Sequence, residues 1–332
     1  MIDHPTLRHL LKSVLRFDAE YGASLSNHLP MALTALTRLG ASDERLHEFA
    51  QRYARRLHEA PLIEPWPAGD PWRARFGEPR AWPAYRQLFR EWVTVEGGPI
   101  VLSQALPALM QGVGAAAFHG PIRAAYALAA NHADGLADAL AYWACRWFDC
   151  GSASLAGGPA IDPAELPRLL DFPMPTRRLI TEGMAHAAAQ PRFVALCQVW
   201  HVDAATTLPR LARQAAAWYA ASADFTVLHL LTSAHAMQVL LPWLDEDDRS
   251  AALAHYVAAY AVGVAAARDG MAREAAQRSA VAVLPWPEIV ARAVKSDDDH
   301  FIKLVDSARE LEAVYGGAGW AQAASRAAAE RG

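Results

Sequence analysis

The sequence predicts an all-α protein, a single large multi-helix bundle with a buried central cavity and no significant sheet. Three observations lead there. Ala-rich segments repeat apolar residues at i, i+3, i+4 and i+7 along nearly the whole chain. No stretch shows sustained period-two alternation rich in Val, Ile or Thr. Four runs, 21–37, 97–122, 225–244 and 250–267, carry no Asp, Glu, Lys or Arg at all, and a helix that is apolar on every side is a buried helix. No period of 30–50 residues repeats a matching signature, which disfavours a solenoid. We read residues 1–332 as one domain.

Taken in order, the periodicity predicts helices at 4–18, 30–39, 43–59, 82–95, 98–112, 120–132, 135–148, 163–170, 176–188, 203–221, 225–241, 247–270, 286–294, 298–314 and 318–330. Ser42, followed by Asp43 and Glu44, supplies a hydroxyl N-cap and an acidic first turn for the third of these, and Ser296 before Asp297, Asp298 and Asp299 reads the same way. Gly40, Gly270 and Gly316 read as terminators. Residues 61–83 break the pattern: six prolines forbid a helix, yet Trp66, Trp72 and Trp82 are too apolar for a loose linker. That loop is either a packed connection or part of a ligand-site wall.

Composition narrows the function classes. The chain is 53% apolar and 20% charged, which excludes disorder, and its net charge of −4 without a basic block argues against nucleic acid as a partner. Cys145, Cys150 and Cys197 have no CxxC spacing, so neither a disulfide scaffold nor a thiolate zinc finger is expected, and a reducing cytoplasm fits. The first residues show no secretory pattern. The 225–244 run is long enough to raise a membrane span, but its two histidines, hydroxyls and missing cationic flanks favour a central bundle helix. Dinucleotide, Walker A, HExxH and GxSxG motifs are all absent.

The charge-free runs hold histidines: His28, His119, His229, His235 and His255. A buried imidazole needs partners for both ring nitrogens, since an unpaired one costs about 1–3 kcal/mol. Each alone is explained by a core histidine bonded to a carbonyl or hydroxyl. Their number, on separate buried segments, is what suggests a metal site built from facing helices. His229 and His235 are six residues apart, about 120° around a helix, so both could line one cavity without chelating side by side. His300 and Lys303 are three apart and share a face. Periodicity alone leaves Lys303 outside the apolar stripe of 298–314, in solvent.

At these residues the sequence resembles the questin oxidase family. The segments that carry the resemblance are Asn27-His28-Leu29-Pro30-Met31-Ala32-Leu33, Phe118-His119-Gly120-Pro121-Ile122-Arg123-Ala124-Ala125-Tyr126, Ala139-Leu140-Ala141-Tyr142-Trp143-Ala144, Leu228-His229 to His235-Ala236, and Asp299-His300-Phe301-Ile302-Lys303-Leu304. The resemblance implies an all-helical oxygenase using a non-haem iron held by histidines and a lysine carboxylated by CO2. It implies an aromatic, polyketide-type substrate and a ring-cleaving or Baeyer–Villiger-like outcome. Carried over, it implies His28, His119, His300 and Lys303 as ligands with one of His229 or His235, and Arg123 as a catalytic residue orienting an anionic substrate oxygen. For Arg123 a helix-surface ion pair is the competing expectation.

The expected function is thus an Fe(II)-dependent oxidoreductase acting with O2 on a small aromatic molecule. Another divalent metal, NADPH as external reductant and a homodimer are all admitted. The alternative is a non-catalytic helical protein of the same fold that binds a ligand or metal, and a helical scaffold without an enclosed polar cluster is the third.

Overall fold

The computed structural model describes residues 2–22, 24–155, 159–176 and 179–331. Among them sixteen α-helices follow one another: α1 (Pro5–Val14), α2 (Leu29–Arg38), α3 (Asp43–Ala54), α4 (Trp82–Glu96), α5 (Gly98–Met110), α6 (Ala115–Ala129), α7 (Ala133–Cys145), α8 (Leu166–Leu169), α9 (Ile180–Ala188), α10 (Pro191–Val199), α11 (Thr207–Ser222), α12 (Phe225–Leu240), α13 (Glu246–Gln277), α14 (Trp286–Lys295), α15 (Asp299–Tyr315) and α16 (Gly319–Arg331). Two short strands, β1 (Glu20–Tyr21) and β2 (Leu25–Ser26), pair antiparallel with Glu20 opposite Ser26. The all-α expectation holds.

α12 is the axis of the bundle. It packs against α6, α11, α13 and α15, and it is buried without interruption from Thr226 to Met237. That position explains why its sequence has no polar face. The stretch Phe225–Trp243 and α13 are each long and apolar enough to cross a membrane, but most of each lies buried inside the protein.

The ends of elements hold several corrections. Ser42 caps α3, accepting from the Arg45 amide at 3.3 Å, and Gly40 and Gly316 follow α2 and α15 with φ of 84° and 65°. Gly270 does not terminate its helix: α13 runs on to Gln277. A Cβ at Gly270 would lie 2.6 Å from Oδ2 of Asp224, so this glycine lets α13 pass close to the cap of α12. Ser296 ends α14, and Asp298 caps α15 instead, accepting from His300 and Phe301 amides at 2.8 and 3.1 Å. α10, short and opened by Pro191, falls where no helix was expected.

The Pro/Trp segment is a packed connection whose end reaches a cavity. Trp72 packs against Phe76, Phe89 and Trp92 with ring centroids 5.1–5.8 Å apart, and Trp66 packs on Tyr85. Further along, Gly77 and Pro79 form part of a cavity wall.

Candidate metal centre and substrate cavity

Four helix beginnings converge on one point. His28 occupies the N-cap position of α2 but makes no side-chain cap bond; the Asn27 carboxamide accepts from the Leu29 amide at 3.0 Å in its place. The His28 imidazole is therefore free to face inward, and its own amide donates to Oη of Tyr53 at 3.0 Å. His229 lies in the second turn of α12 and His300 in the first turn of α15, each behind an aspartate cap, Asp224 and Asp298.

His119 is delivered by an unusual device. Ala116, Ala117 and Phe118 have φ of 48°, 55° and 69°, a left-handed turn at the start of α6. Non-glycine residues there cost roughly 1–2 kcal/mol each, and such strain persists where the surroundings enforce it. Right-handed helix resumes at His119-Gly120-Pro121. A Cβ on Gly120 would lie 2.7 Å from the Trp143 indole, so this glycine sets how closely α6 packs on α7.

The imidazoles form one cluster. Ring centroids stand 4.7 Å apart for His28 and His119, 5.0 Å for His119 and His229, 5.6 Å for His229 and His300, and 4.6 Å for His300 and His28. His28 and His119 approach most closely, Nε2 to Nε2, at 2.7 Å. Their other nitrogens settle the protons. Nδ1 of His28 faces the Asp299 carboxylate, Nδ1 of His119 faces the Ala116 carbonyl, and Nδ1 of His229 faces the Phe225 carbonyl at 2.8 Å. Carboxylate and carbonyl oxygens only accept, so each Nδ1 carries the hydrogen.

Burial pushes the pKa values of His28, His119 and His300 well below the ordinary imidazole value and that of His229 down to about 4, with the Lys303 charge adding to the effect. The rings are neutral near pH 7. Nε2 of His28 and of His119 are consequently both bare lone pairs, pointed at each other 2.7 Å apart. Two such lone pairs repel unless something electropositive lies beside them, so the donor set fits a cation.

Beside the cluster opens a cavity of about 670 Å³, and His28, His119, His229 and His300 all stand on its wall. The rest is mainly apolar, with Leu25, Pro79, Phe148, Ile180, Met184 and Phe225 among the lining residues. This volume lies within the range of small-molecule pockets.

The family model for questin oxidase-like proteins matches residues 25–308. The chain belongs to the questin oxidase-like family. The matched span takes in all four clustered histidines and Lys303, and the family's name points to an oxidoreductase. Among curated proteins there is no match.

Within this family frame the remaining expected site residues fall in three places. Lys303, one turn beyond His300, is 2% exposed and has no carboxylate within 4.0 Å among the described residues. The expectation that it faces solvent is overturned, because α15 is packed by α2, α12, α14 and α16 and its buried sector is wider than one stripe. Burial lowers its pKa to about 8, with Asp299 and Asp298 pulling the other way. His235 lies two turns along α12 from the cluster; its Nδ1 meets Oγ of Ser307 at 3.1 Å and its Nε2 has no partner among the described residues. Thus His229 joins the imidazole cluster and His235 does not. Arg123 is neither on the cavity wall nor in a surface ion pair. It is buried, donates from Nη1 to the Asn27 carbonyl at 2.9 Å, and so braces the segment that carries His28.

One residue was missed. Asp299 accepts from Nδ1 of His28, and the same oxygen is 3.3 Å from Nδ1 of His300. The sequence signal was its place directly before His300 and four before Lys303, but an acidic first turn explained it too readily.

Proposed function

We propose that this chain is a non-haem-iron oxygenase that uses O2 on an aromatic, polyketide-type small molecule. The observation that carries the reading is the pair of facing bare Nε2 atoms on His28 and His119, with two more neutral imidazoles in ring contact. His28, His119, His229 and His300 would hold the metal, and imidazoles suit iron, zinc, copper and nickel alike. Iron bound there would supply the redox chemistry with dioxygen that no side chain of the cavity offers.

Lys303 is the proposed fifth donor. As a neutral amine it adds to CO2, forming an N–C bond and losing a proton, and the product is a carbamate with an anionic oxygen. Its burial, with no carboxylate within 4.0 Å among the described residues, lowers its pKa toward the uncharged amine this addition needs, against the pull of Asp299 and Asp298. The chain's other residues hold and shield. Asp299 fixes the tautomer of His28, the left-handed turn fixes His119, and the apolar wall orients a flat ring while excluding water. A ring cleavage that places both oxygen atoms in product needs no reductant. A Baeyer–Villiger-like outcome sends one oxygen atom to water and takes two electrons from an external donor such as NADPH.

The test is metal content of protein purified without chelator and without a metal-binding tag. Near-stoichiometric iron is expected, and His119→Ala should lose it while keeping its helical circular dichroism. Zinc alone would favour the binding-protein alternative. No metal after anaerobic iron loading would overturn the reading.

A further inference from the structure

Most of the cavity wall is apolar, and beside the four histidines its charged side chains are Glu20, Arg146 and Glu182. Glu20 and Arg146 both stand on it, and Nη2 of Arg146 donates to Oε2 of Glu20. The other carboxylate oxygen, Oε1, accepts from the Tyr142 hydroxyl at 2.9 Å. Tyr142 in turn meets Oγ of Ser26 at 2.7 Å and lies beneath the Arg123 guanidinium, 5.2 Å from its ring centre. Glu20 is therefore fully engaged. Arg146 is not: its Nε and Nη1 hydrogens have no acceptor among the described residues, although a guanidinium presents five donors.

Tyr142 lies between two guanidiniums: Arg146, which pairs with Glu20, and Arg123, which donates to the Ala19 and Asn27 carbonyls and feels the carboxylates of Asp138 and Asp18. The cluster is also close to the imidazoles. Ser26 pairs with Glu20 across the hairpin and is two residues from His28, at most about 7 Å along the chain. A half-buried arginine, its side chain 28% exposed, with free donors on the wall of a mainly apolar cavity matches a planar anion more closely than a neutral oxygen.

We propose that the cavity binds an aromatic carboxylate, its carboxyl group on the free donors of Arg146 and its ring against the apolar wall beside the histidines. Glu20 acts as a positioning residue, fixing the guanidinium through Nη2 and leaving the remaining edge for the ligand. The proposal takes the cavity as the substrate site of the proposed oxygenase, but the anion subsite itself requires no metal.

The experiment compares 2-naphthoate with its neutral isostere 2-naphthamide, by fluorescence titration of the full-length protein. Both as-purified and chelator-treated samples are titrated. Wild type is expected to bind the carboxylate about tenfold tighter than the amide in both preparations. Arg146→Gln should abolish that discrimination with the amide's affinity unchanged, and Arg146→Lys should retain part of it. Circular dichroism and metal content report that each variant is folded, and Arg146→Lys keeps the test alive if Arg146→Gln is not. Equal affinity for the two probes in wild type, or discrimination that survives Arg146→Gln, overturns the subsite. Discrimination that disappears on chelation but persists in Arg146→Gln assigns the carboxylate to the metal and also overturns it. Failure of the oxygenase reading looks different, since it shows as absent iron with probe discrimination intact.

Discussion

Asp299 stands behind the imidazoles, off the cavity wall, with one oxygen on Nδ1 of His28 and near Nδ1 of His300. A carboxylate there keeps the His28 proton on Nδ1 and makes the opposite nitrogen more basic, which is the arrangement a metal-bound imidazole needs. Asp299→Asn preserves the size but offers an amide hydrogen to Nδ1, and the ring can then carry its proton on Nε2, facing His119. Metal affinity is expected to fall by about 10–100-fold with helix content unchanged, measured by anaerobic Fe(II) or Zn(II) titration of chelator-treated protein. Unchanged affinity would reduce Asp299 to a charge at a helix start. At this scale the sequence told little. The histidines showed because they interrupt charge-free runs, whereas Asp299 lay in an acidic run that capping explains and Lys303 lay off the apolar stripe. Their roles come from a neighbour on another helix, which no local pattern records.

Elements were more legible, because a helix buried on one side writes its period into its own residues. α2, α12 and α15 begin and end within one residue of where the pattern puts them, whereas α3 stops at Ala54, five residues short of its expected end. The left-handed turn before His119 is different. Three consecutive positive φ angles fall on Ala116, Ala117 and Phe118, where propensity expects ordinary helix or a glycine, so the sequence reading began that helix at 120. The turn exists because packing of Gly120 on Trp143 and the bond from His119 to the Ala116 carbonyl hold it. Its cost yields a prediction with opposed signs. Ala116→Gly should raise thermal stability by about 1 kcal/mol by removing the left-handed penalty, and Ala116→Val should lower it. The same glycine should loosen His119 and weaken metal binding. Differential scanning calorimetry and metal titration on the same samples test both halves, and a glycine variant that melts below wild type would show that the turn is not strained.

Across the whole molecule, charge-free runs announced a buried centre, and the bundle does enclose one, but they could not decide between His229 and His235. Both sit on an α12 that is buried all round, and only the partner helices distinguish them. His235 belongs to a second buried polar group, with Ser307, Asp306, Arg38 and Tyr126, and this group makes global stability depend on pH. Asp306 is 2% exposed; its Oδ1 lies 3.1 Å from Nε of Arg38, while its Oδ2 has no hydrogen-bond partner of ordinary geometry among the described residues. Burial pushes its pKa up to about 6 from 3.8, and Arg38 offsets only part of the rise. Because the folded value exceeds the unfolded one, the native state binds this proton more tightly. The resulting stability is complete below pH 3.8 and is lost as pH rises through 6. Asp306→Asn removes the titration. Its stability relative to wild type should therefore improve between pH 4 and pH 7, by on the order of 2–3 kcal/mol. Urea unfolding of both proteins across that range measures the difference, with chelator present so that proton competition at the histidine cluster does not enter. Parallel stability profiles for the two proteins would mean that Asp306 stays ionised in the fold and that Arg38 outweighs its burial.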